Sequence, residues 1–174
     1  MALDASRAAF RAQLVIPEQR QLYDYWVNRC GEAPMPGRSA ISPVDFPRLL
    51  PQVSLILIEA GARRFRYRLA GTGLREIYDR EVTGLFLDDI DWGGNADYWR
   101  AAHDKVADSG RPAQGVIRGL RTVKNHLVHF WLRLPLSLAG NCPGLILCHD
   151  VCIPVSDLDD GLGAAAGAYR YATG

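Results

Sequence analysis

The sequence predicts an α+β domain built on a five-stranded antiparallel sheet, with short helices on one face and an N-terminal helix. Two strand-like segments are followed by a connector, between residues 71 and 112, that has helical patterns, and then by three further strand-like segments. Arg64 to Ala70 alternates apolar and charged side chains, as a strand with one buried face requires. The chain of 174 residues has the length of one domain with short extensions.

Two helical patterns precede the sheet. Residues 5–16 favour a helix that Pro17 ends, and apolar residues recur at three- and four-residue steps from Glu18 to Cys30. Tyr25 and Trp26 form an aromatic stripe on the second of these helices. The sequence therefore divides into an N-terminal helical segment (1–31), a domain (32–155) and a Gly/Ala-rich tail (156–174) that we expect to be flexible.

The strands are predicted from alternation between turn residues. The predicted spans are 53–59, 64–70, 113–119, 125–136 and 145–153. The side chains expected to share the core face are Phe65, Tyr67, Leu69, Val128, Phe130, Leu132 and Leu134. We expect Trp131, on the opposite face of the fourth strand, to meet the N-terminal helix or a second subunit, because an exposed tryptophan on a sheet needs a cover.

The connector is predicted to hold a short helix from Thr72 through Tyr78 and a longer one after Asn95, from about residue 96 to 107. Trp99 and His103 lie on the apolar face of the longer helix, which the Ser109 to Pro112 segment ends.

Composition and charge exclude several classes of protein. The net charge is +1, with acids and bases interspersed, which gives no electrostatic reason to expect DNA or a membrane as partner. The longest apolar run, residues 53–58, is far too short to cross a bilayer, and no secretory signal pattern opens the sequence. Four cysteines in a chain of this length do not form a disulfide pattern, so we expect a cytoplasmic protein.

Several local motifs resemble those of a bacterial family of stand-alone PAS-like domains that is common in alphaproteobacteria. The motifs are Tyr23-Asp-Tyr25-Trp26, Ile41-Ser-Pro43-Val-Asp45-Phe-Pro47-Arg-Leu-Leu50-Pro51, Arg64-Phe-Arg-Tyr-Arg68-Leu-Ala-Gly71-Thr72, Arg80-Glu-Val-Thr83-Gly84, Gly110-Arg111-Pro112 and Leu134-Pro-Leu136. The resemblance covers about residues 20–153. It implies a sensory or regulatory domain, usually dimeric, with room for a small molecule between the sheet and the short helices.

The resemblance assigns no catalytic role, and we expect no enzyme activity. With no room for an output domain in these residues, we expect any signal to leave through a partner protein. The candidate ligand-binding residues are Phe65, Tyr67, Tyr78, Trp99, His126 and Phe130. The candidate interface residues are Tyr25, Trp26, His129 and Trp131. No metal ligand is assigned, and the identity of any cofactor or ligand stays open.

Two alternative functions remain. The first is a purely structural dimerisation module whose core is filled. The second is a haem sensor, because haem-binding PAS sensors carry the iron ligand on the helix that corresponds to the one bearing His103. The competing interpretation of His103 is a half-exposed histidine at the edge of that helix.

Two clusters of reactive or charged residues are candidate sites for catalysis, zinc or phosphate. Cys148 and His149 are neighbours on a predicted strand and point to opposite faces, while Cys148 and Cys152 lie roughly 13 Å apart along it, too far for one zinc ion. The arginine-rich segments 63–68 and 118–121 are able to bind the phosphates of a nucleotide second messenger, or to form a solvated surface paired with acids.

Overall fold

A computed structural model of the chain describes residues 2–61, 63–119 and 126–161. The helices are α1 (Ala2–Gln13), α2 (Pro17–Cys30), α3 (Leu74–Tyr78), α4 (Ala96–Ser109) and α5 (Val155–Gly161). The strands are β1 (Val53–Glu59), β2 (Arg64–Ala70), β3 (Ala113–Arg118), β4 (Leu127–Ser137) and β5 (Pro143–Pro154). Short 3-10 turns occupy Arg38–Ala40, Pro43–Asp45, Pro47–Gln52 and Leu87–Asp89.

The strands form one antiparallel sheet in the order β2-β1-β5-β4-β3, which confirms the predicted fold class. The two long strands, β4 and β5, lie at the centre and pair over their whole length. β1 pairs with β5 only as far as Val53, opposite His149, so the last residues of β5 extend past it. The connector with α3 and α4 covers one face of the sheet, and α1 and α2 cover the other.

Each face of the sheet carries its own apolar core. The core on the connector side includes Phe65, Tyr67, Trp99 and Trp131. The core on the α2 side includes Trp26 with Leu132, Leu134, Leu145 and Leu147 of the central strands. A smaller cluster on the α2 side joins Ile16 to Val128 and Phe130.

The expected orientation of β4 is therefore wrong. Leu132 and Leu134 face α2, whereas Trp131 faces the connector together with Phe65 and Tyr67. Alternation along a strand separates its side chains into two sets, but it does not say which set meets which layer. Here both layers are apolar, so hydrophobicity alone does not choose between them.

Leu69 also departs from its expected place, because β2 contains a bulge. Leu55 pairs with Leu69 and Ile56 with Tyr67, which leaves Arg68 as an extra residue. Because side chains alternate between the two faces, an extra residue moves each side chain beyond it to the opposite face of the sheet. Leu69 is consequently 51% exposed instead of joining Tyr67 in the core.

The α2 helix is fixed to the sheet by an indole. Trp26 is buried, and its Nε1–H donates to the carbonyl oxygen of Pro135 at 2.9 Å. Pro135 lies beyond the end of β3, where β4 has β5 alone as a strand neighbour, so its missing N–H removes no ladder bond. Ser137 N–H in turn donates to Pro36, which covers the same strand edge.

The domain boundaries predicted from sequence remain a proposal. Residues 155–161 form α5, so the described part of the expected tail begins with a helix, and residues 162–174 lie outside the described residues. None of the described helices is both long and apolar enough to cross a membrane.

Gly71 is fixed by a close backbone approach. A Cβ placed on Gly71 would lie 2.0 Å from the Leu50 carbonyl oxygen and 2.4 Å from that of Pro51, atoms that no side-chain rotation can move away. We expect Gly71→Ala to lower the free energy of unfolding by about 3 kcal/mol, as other overpacked backbone sites do. Urea unfolding measures the change.

Gly37→Ala is the matched control, because its added Cβ would lie 3.8 Å from its nearest neighbours. It should change the free energy of unfolding by no more than about 0.5 kcal/mol. Equal stability of the two variants would contradict the close approach at Gly71.

Candidate functional site: a buried ion pair beneath the connector

Two charged side chains of the central strands meet in the connector-side core. Arg133 of β4 donates from Nη2 to Asp150 Oδ1 at 2.8 Å and from Nη1 to Oδ2 at 3.1 Å. Both side chains are 0% exposed. The pair is bidentate, which is the strongest geometry for a guanidinium and a carboxylate.

Two histidines complete the network. His129 Nε2 lies 2.7 Å from Asp150 Oδ1, and Arg133 Nε donates to His103 Nε2 at 3.2 Å. Because that arginine can only donate, His103 Nε2 carries no proton, and its Nδ1–H donates to the Trp99 carbonyl at 2.7 Å. The network therefore links β4 and β5 directly and attaches α4 to both through His103.

Burial and pairing set the charges of the network. Burial alone would raise the pKa of Asp150, but Arg133 and then His129 outweigh it and hold that pKa well below its usual value. Burial would likewise lower the pKa of Arg133, whereas Asp150 raises it overall. Both groups are charged. Burial and the nearby guanidinium lower the pKa of His103 to about 3, so His103 is neutral.

Aromatic rings enclose the ion pair. The Arg133 guanidinium carbon lies 5.5 Å from the ring centroids of both Trp99 and Trp131. Trp99 is 5.0 Å from Trp92 and 5.9 Å from Trp131, centroid to centroid. The Trp131 indole N–H donates to Tyr98 Oη at 2.8 Å. These separations place neighbouring rings in direct contact.

The ring of Trp131 lies on a glycine of the neighbouring strand. Gly115 pairs with Trp131, and a Cβ on Gly115 would lie 2.5 Å from the indole Cζ2. The indole therefore occupies the space that a side chain at position 115 would need.

The structure brings together four of the six candidate ligand-binding residues. Phe65, Tyr67, Tyr78 and Trp99 are all buried in the connector-side core. Phe130 lies on the other face of the sheet, in the Ile16 cluster, because the orientation of β4 is opposite to that expected. His126 is exposed at the turn before β4.

The candidate interface residues lie inside the same subunit. Trp26, His129 and Trp131 are each at most 5% exposed. Tyr25 is half-buried, and its hydroxyl donates to Asp45 Oδ2 at 2.8 Å. His129 and Trp131 face the connector, which corrects the expectation that they meet the N-terminal helix.

Sequence reasoning did not find the centre of the site, Arg133 and Asp150. A signal was available: an arginine and an aspartate, both alternating with apolar residues inside long apolar strands, are charges in positions that should be buried. A buried charge requires a partner of opposite sign, so either residue predicts the other.

Polar atoms without partners lie in the same core. Trp99 Nε1 and His129 Nδ1 are buried and have no hydrogen-bond partner among the described residues, although the two rings lie 5.0 Å apart. Trp99 Nε1 can only donate. His129 Nδ1 accepts, since its Nε2 donates to the ionised Asp150. The core therefore keeps one donor and one acceptor for a small polar group.

The histidine and cysteine chemistry considered above gains little support. His103 is fully buried, and both of its ring nitrogens are hydrogen-bonded within the chain, so neither interpretation of it, iron ligand or half-exposed edge residue, describes its position. Burial raises the pKa of the Cys148 thiol to about 12. Among the described residues, no three histidine, cysteine or acidic side chains are grouped as a metal site requires.

Most of the arginine stripe around β2 is paired with acids. Arg63 contacts Asp108 at 2.6 Å, and Arg66 contacts Glu59 at 2.8 Å. Arg64 stacks on Phe86, with its guanidinium carbon 3.4 Å from the ring centroid. These contacts favour a solvated, ion-paired surface over a phosphate site.

Comparison with known proteins places the chain in a family. A PAS domain family model matches residues 15–146, which is most of the chain. A comparison with curated proteins finds no match. The chain belongs to the PAS domain family.

Several solved structures match the chain at low sequence identity. The Rhodobacter sphaeroides LOV protein matches with a TM-score of 0.49 and 16% identity, over 70% of this chain and 72% of the other. A point variant of RsLOV matches with a TM-score of 0.51 and 18% sequence identity, over 72% of each chain. A PAS domain from Colwellia psychrerythraea matches with a TM-score of 0.46 and 9% sequence identity, over 64% of this chain and 96% of the other. At these identities, the RsLOV variant supports the fold alone.

Removing one partner of the ion pair should destabilise the domain strongly. Arg133→Met leaves the Asp150 carboxylate buried without its cation, and we expect a loss of about 3–5 kcal/mol in the free energy of unfolding. The double variant Arg133→Met/Asp150→Leu removes both charges and should recover more than half of that loss. Urea unfolding of both variants makes the comparison; a double variant no more stable than Arg133→Met would contradict it.

Stability should fall in mild acid. Burial lowers the pKa of His103 to about 3, that of His149 to about 4, and that of His129 below its ordinary value. In the unfolded chain these groups titrate near about 6.5, so between about pH 4 and 6.5 the unfolded state binds more protons. Their contribution to stability is complete above about pH 6.5 and is lost as the pH falls through that window.

Urea midpoints measured from about pH 7 to about pH 4.5 should therefore decrease steadily. His126→Gln is the matched control for the loss of an imidazole at an exposed position outside the core. A stability that is constant across this range would contradict the buried, neutral state of the three histidines.

Proposed function

We propose that this protein is a non-catalytic sensory or regulatory PAS domain in signal transduction that acts through contact with a partner protein. The observation that carries the proposal is the packing of Trp99 on Trp92 and Trp131, with Trp99 and Trp131 against Arg133. A planar ligand held between two ring faces needs centroids about 7 Å apart, twice the contact distance of about 3.5 Å. The rings here are 5.0 and 5.9 Å apart. No flat cofactor therefore fits between these pairs of rings, which pack directly on each other.

The hydrogen bonding of His103 and the raised pKa of Cys148 support the non-catalytic part of this proposal. A nucleophile or general base needs a free, suitably ionised atom within reach of a substrate. The ring nitrogens of His103 are both engaged within the core, and the Cys148 thiol has its pKa raised to about 12 by burial.

We propose a homodimer, or a complex with an unidentified signalling protein, formed through the outer face near α5. Partly exposed apolar side chains there, Val116, Val155 and Leu158, pack on the Ile16 cluster and form the outer strip. A cytoplasmic location fits the four unpaired cysteines.

A second candidate function is binding of a small polar ligand inside the connector-side core. The unpartnered Trp99 Nε1 and His129 Nδ1 favour it, since one hydroxyl group could accept from the indole N–H and donate to the imidazole nitrogen.

Native mass spectrometry of the purified full chain distinguishes these functions. Partner contact predicts the mass of the polypeptide, as monomer or dimer, with no visible or near-ultraviolet absorption beyond that of the protein. A small molecule released in stoichiometric amount on denaturation would overturn the filled core and support the second candidate.

A charged substitution in the outer strip tests whether this surface forms the interface. Leu158→Arg should weaken self-association or partner binding by at least about tenfold, because a guanidinium replaces apolar contact area. Leu138→Arg is the control, since Leu138 is 57% exposed on the β4–β5 turn, away from the outer strip. Sedimentation analysis in which neither variant differs from the wild-type chain would contradict a dimer through this surface.

A further inference from the structure

A groove of about 820 Å³ lies where β5 extends past β1, between the start of α2 and α3. Ile77 of α3 brings it to the edge of the connector-side core, but none of its lining residues belongs to the ion-pair network. Its apolar lining comes from Ile16, Leu127, Val151 and Ile153. A volume in this range is typical of sites for small molecules.

Five polar side chains line the same groove: Glu18, Arg48, Gln52, Glu76 and His149. His149 is 1% exposed, and its Nδ1 has no hydrogen-bond partner among the described residues. Arg48 is exposed and makes no ion pair within the described part of the chain. Glu18, also exposed, interacts electrostatically with His149. Glu76 already interacts within the chain, which leaves Glu18 as the carboxylate for a ligand. The groove thus offers a cation, this carboxylate and a buried imidazole beside an apolar surface.

These groups are complementary to a molecule with both charges. A guanidinium is suited to a carboxylate, which it can bind with two parallel hydrogen bonds. A carboxylate such as that of Glu18 is suited to an ammonium group. A ligand with one charge would satisfy one of these side chains and bring its like charge near the other. The unpartnered imidazole nitrogen gives a further reason for a polar ligand group, because native proteins pair nearly all buried polar atoms.

We propose that this groove binds a small amphipathic zwitterion, of amino-acid or dipeptide size. Its carboxylate binds Arg48, its ammonium group binds Glu18 beside His149, and its apolar part packs on Val151 and Ile153. The groove shares no residue with the ion-pair network or with the unpartnered Trp99 and His129 atoms, so the proposal goes beyond the proposed function and does not depend on it.

The probes that test this are L-leucine and L-leucyl-L-leucine, with two matched analogues. Isocaproate is leucine without its amine, and isoamylamine is leucine without its carboxylate. Titration of the full chain, followed by the ¹⁵N signals of the His149 ring and by backbone amides of β5, measures binding. At least one zwitterion should shift these signals, with an affinity at least about tenfold above that of either analogue.

Two variants locate the charges. Arg48→Gln and Glu18→Gln should each weaken binding of the zwitterion by at least about tenfold. Both side chains are exposed, so neither change should affect folding. The matched controls are Arg68→Gln and Glu32→Gln, which are also exposed and lie outside the groove, and these should bind as the wild-type chain does.

Three results would overturn the proposal. They are the absence of any shift at His149 with both zwitterions, equal binding of isocaproate, and binding that survives both Arg48→Gln and Glu18→Gln. A dipeptide that binds where leucine does not would support it and fix the ligand size. None of these results changes the mass or absorption of the purified chain, which test the proposed function.

Discussion

A guanidinium and a carboxylate that are both withdrawn from water hold the connector side of this domain together. Removing two charges from solvent is expensive, and the attraction between them offsets that penalty only with good geometry and with further hydrogen bonds. Arg133 meets this condition by donating to Asp150, to the Leu132 carbonyl and to His103. One side chain thus connects β4 to β5 and to α4, in addition to the backbone ladder between the two strands.

The histidines around the pair are neutral for the same reason. A proton on His103 would place a second cation against Arg133 in a dry core, and the guanidinium and burial together prevent this. His129 is different, because its partner is the carboxylate, yet burial still lowers its pKa. The core therefore holds one cation, Arg133, and one anion, Asp150, and the histidines beside them are neutral. No unbalanced charge is buried against the apolar rings of Trp99 and Trp131.

The sequence predicted the fold class, the order of elements and most strand boundaries, because local alternation and turn residues determine these features. It did not predict the facing of β4, since both neighbouring layers are apolar and Trp131 fits either. It did not predict the bulge at Arg68, which depends on the pairing of β1 with β2.

Of the candidate site, Phe65, Tyr67, Tyr78 and Trp99 could be predicted, because they are apolar positions on the connector and on β2. Phe130 was placed on the wrong face with the rest of β4. For Arg133 and Asp150, the local pattern indicates that each charge is buried and needs a partner, but the pairing itself depends on the register between β4 and β5, which no local pattern determines.

The contact between Gly115 and Trp131 has an evolutionary consequence. The indole covers the glycine so closely that a larger residue at position 115 requires a smaller or displaced ring at position 131. Among homologues that retain a tryptophan at 131, glycine should persist at 115, and where the tryptophan is lost the glycine should become free to vary. We therefore expect substitutions at the two positions to occur together, because one contact at the edge of the sheet couples them.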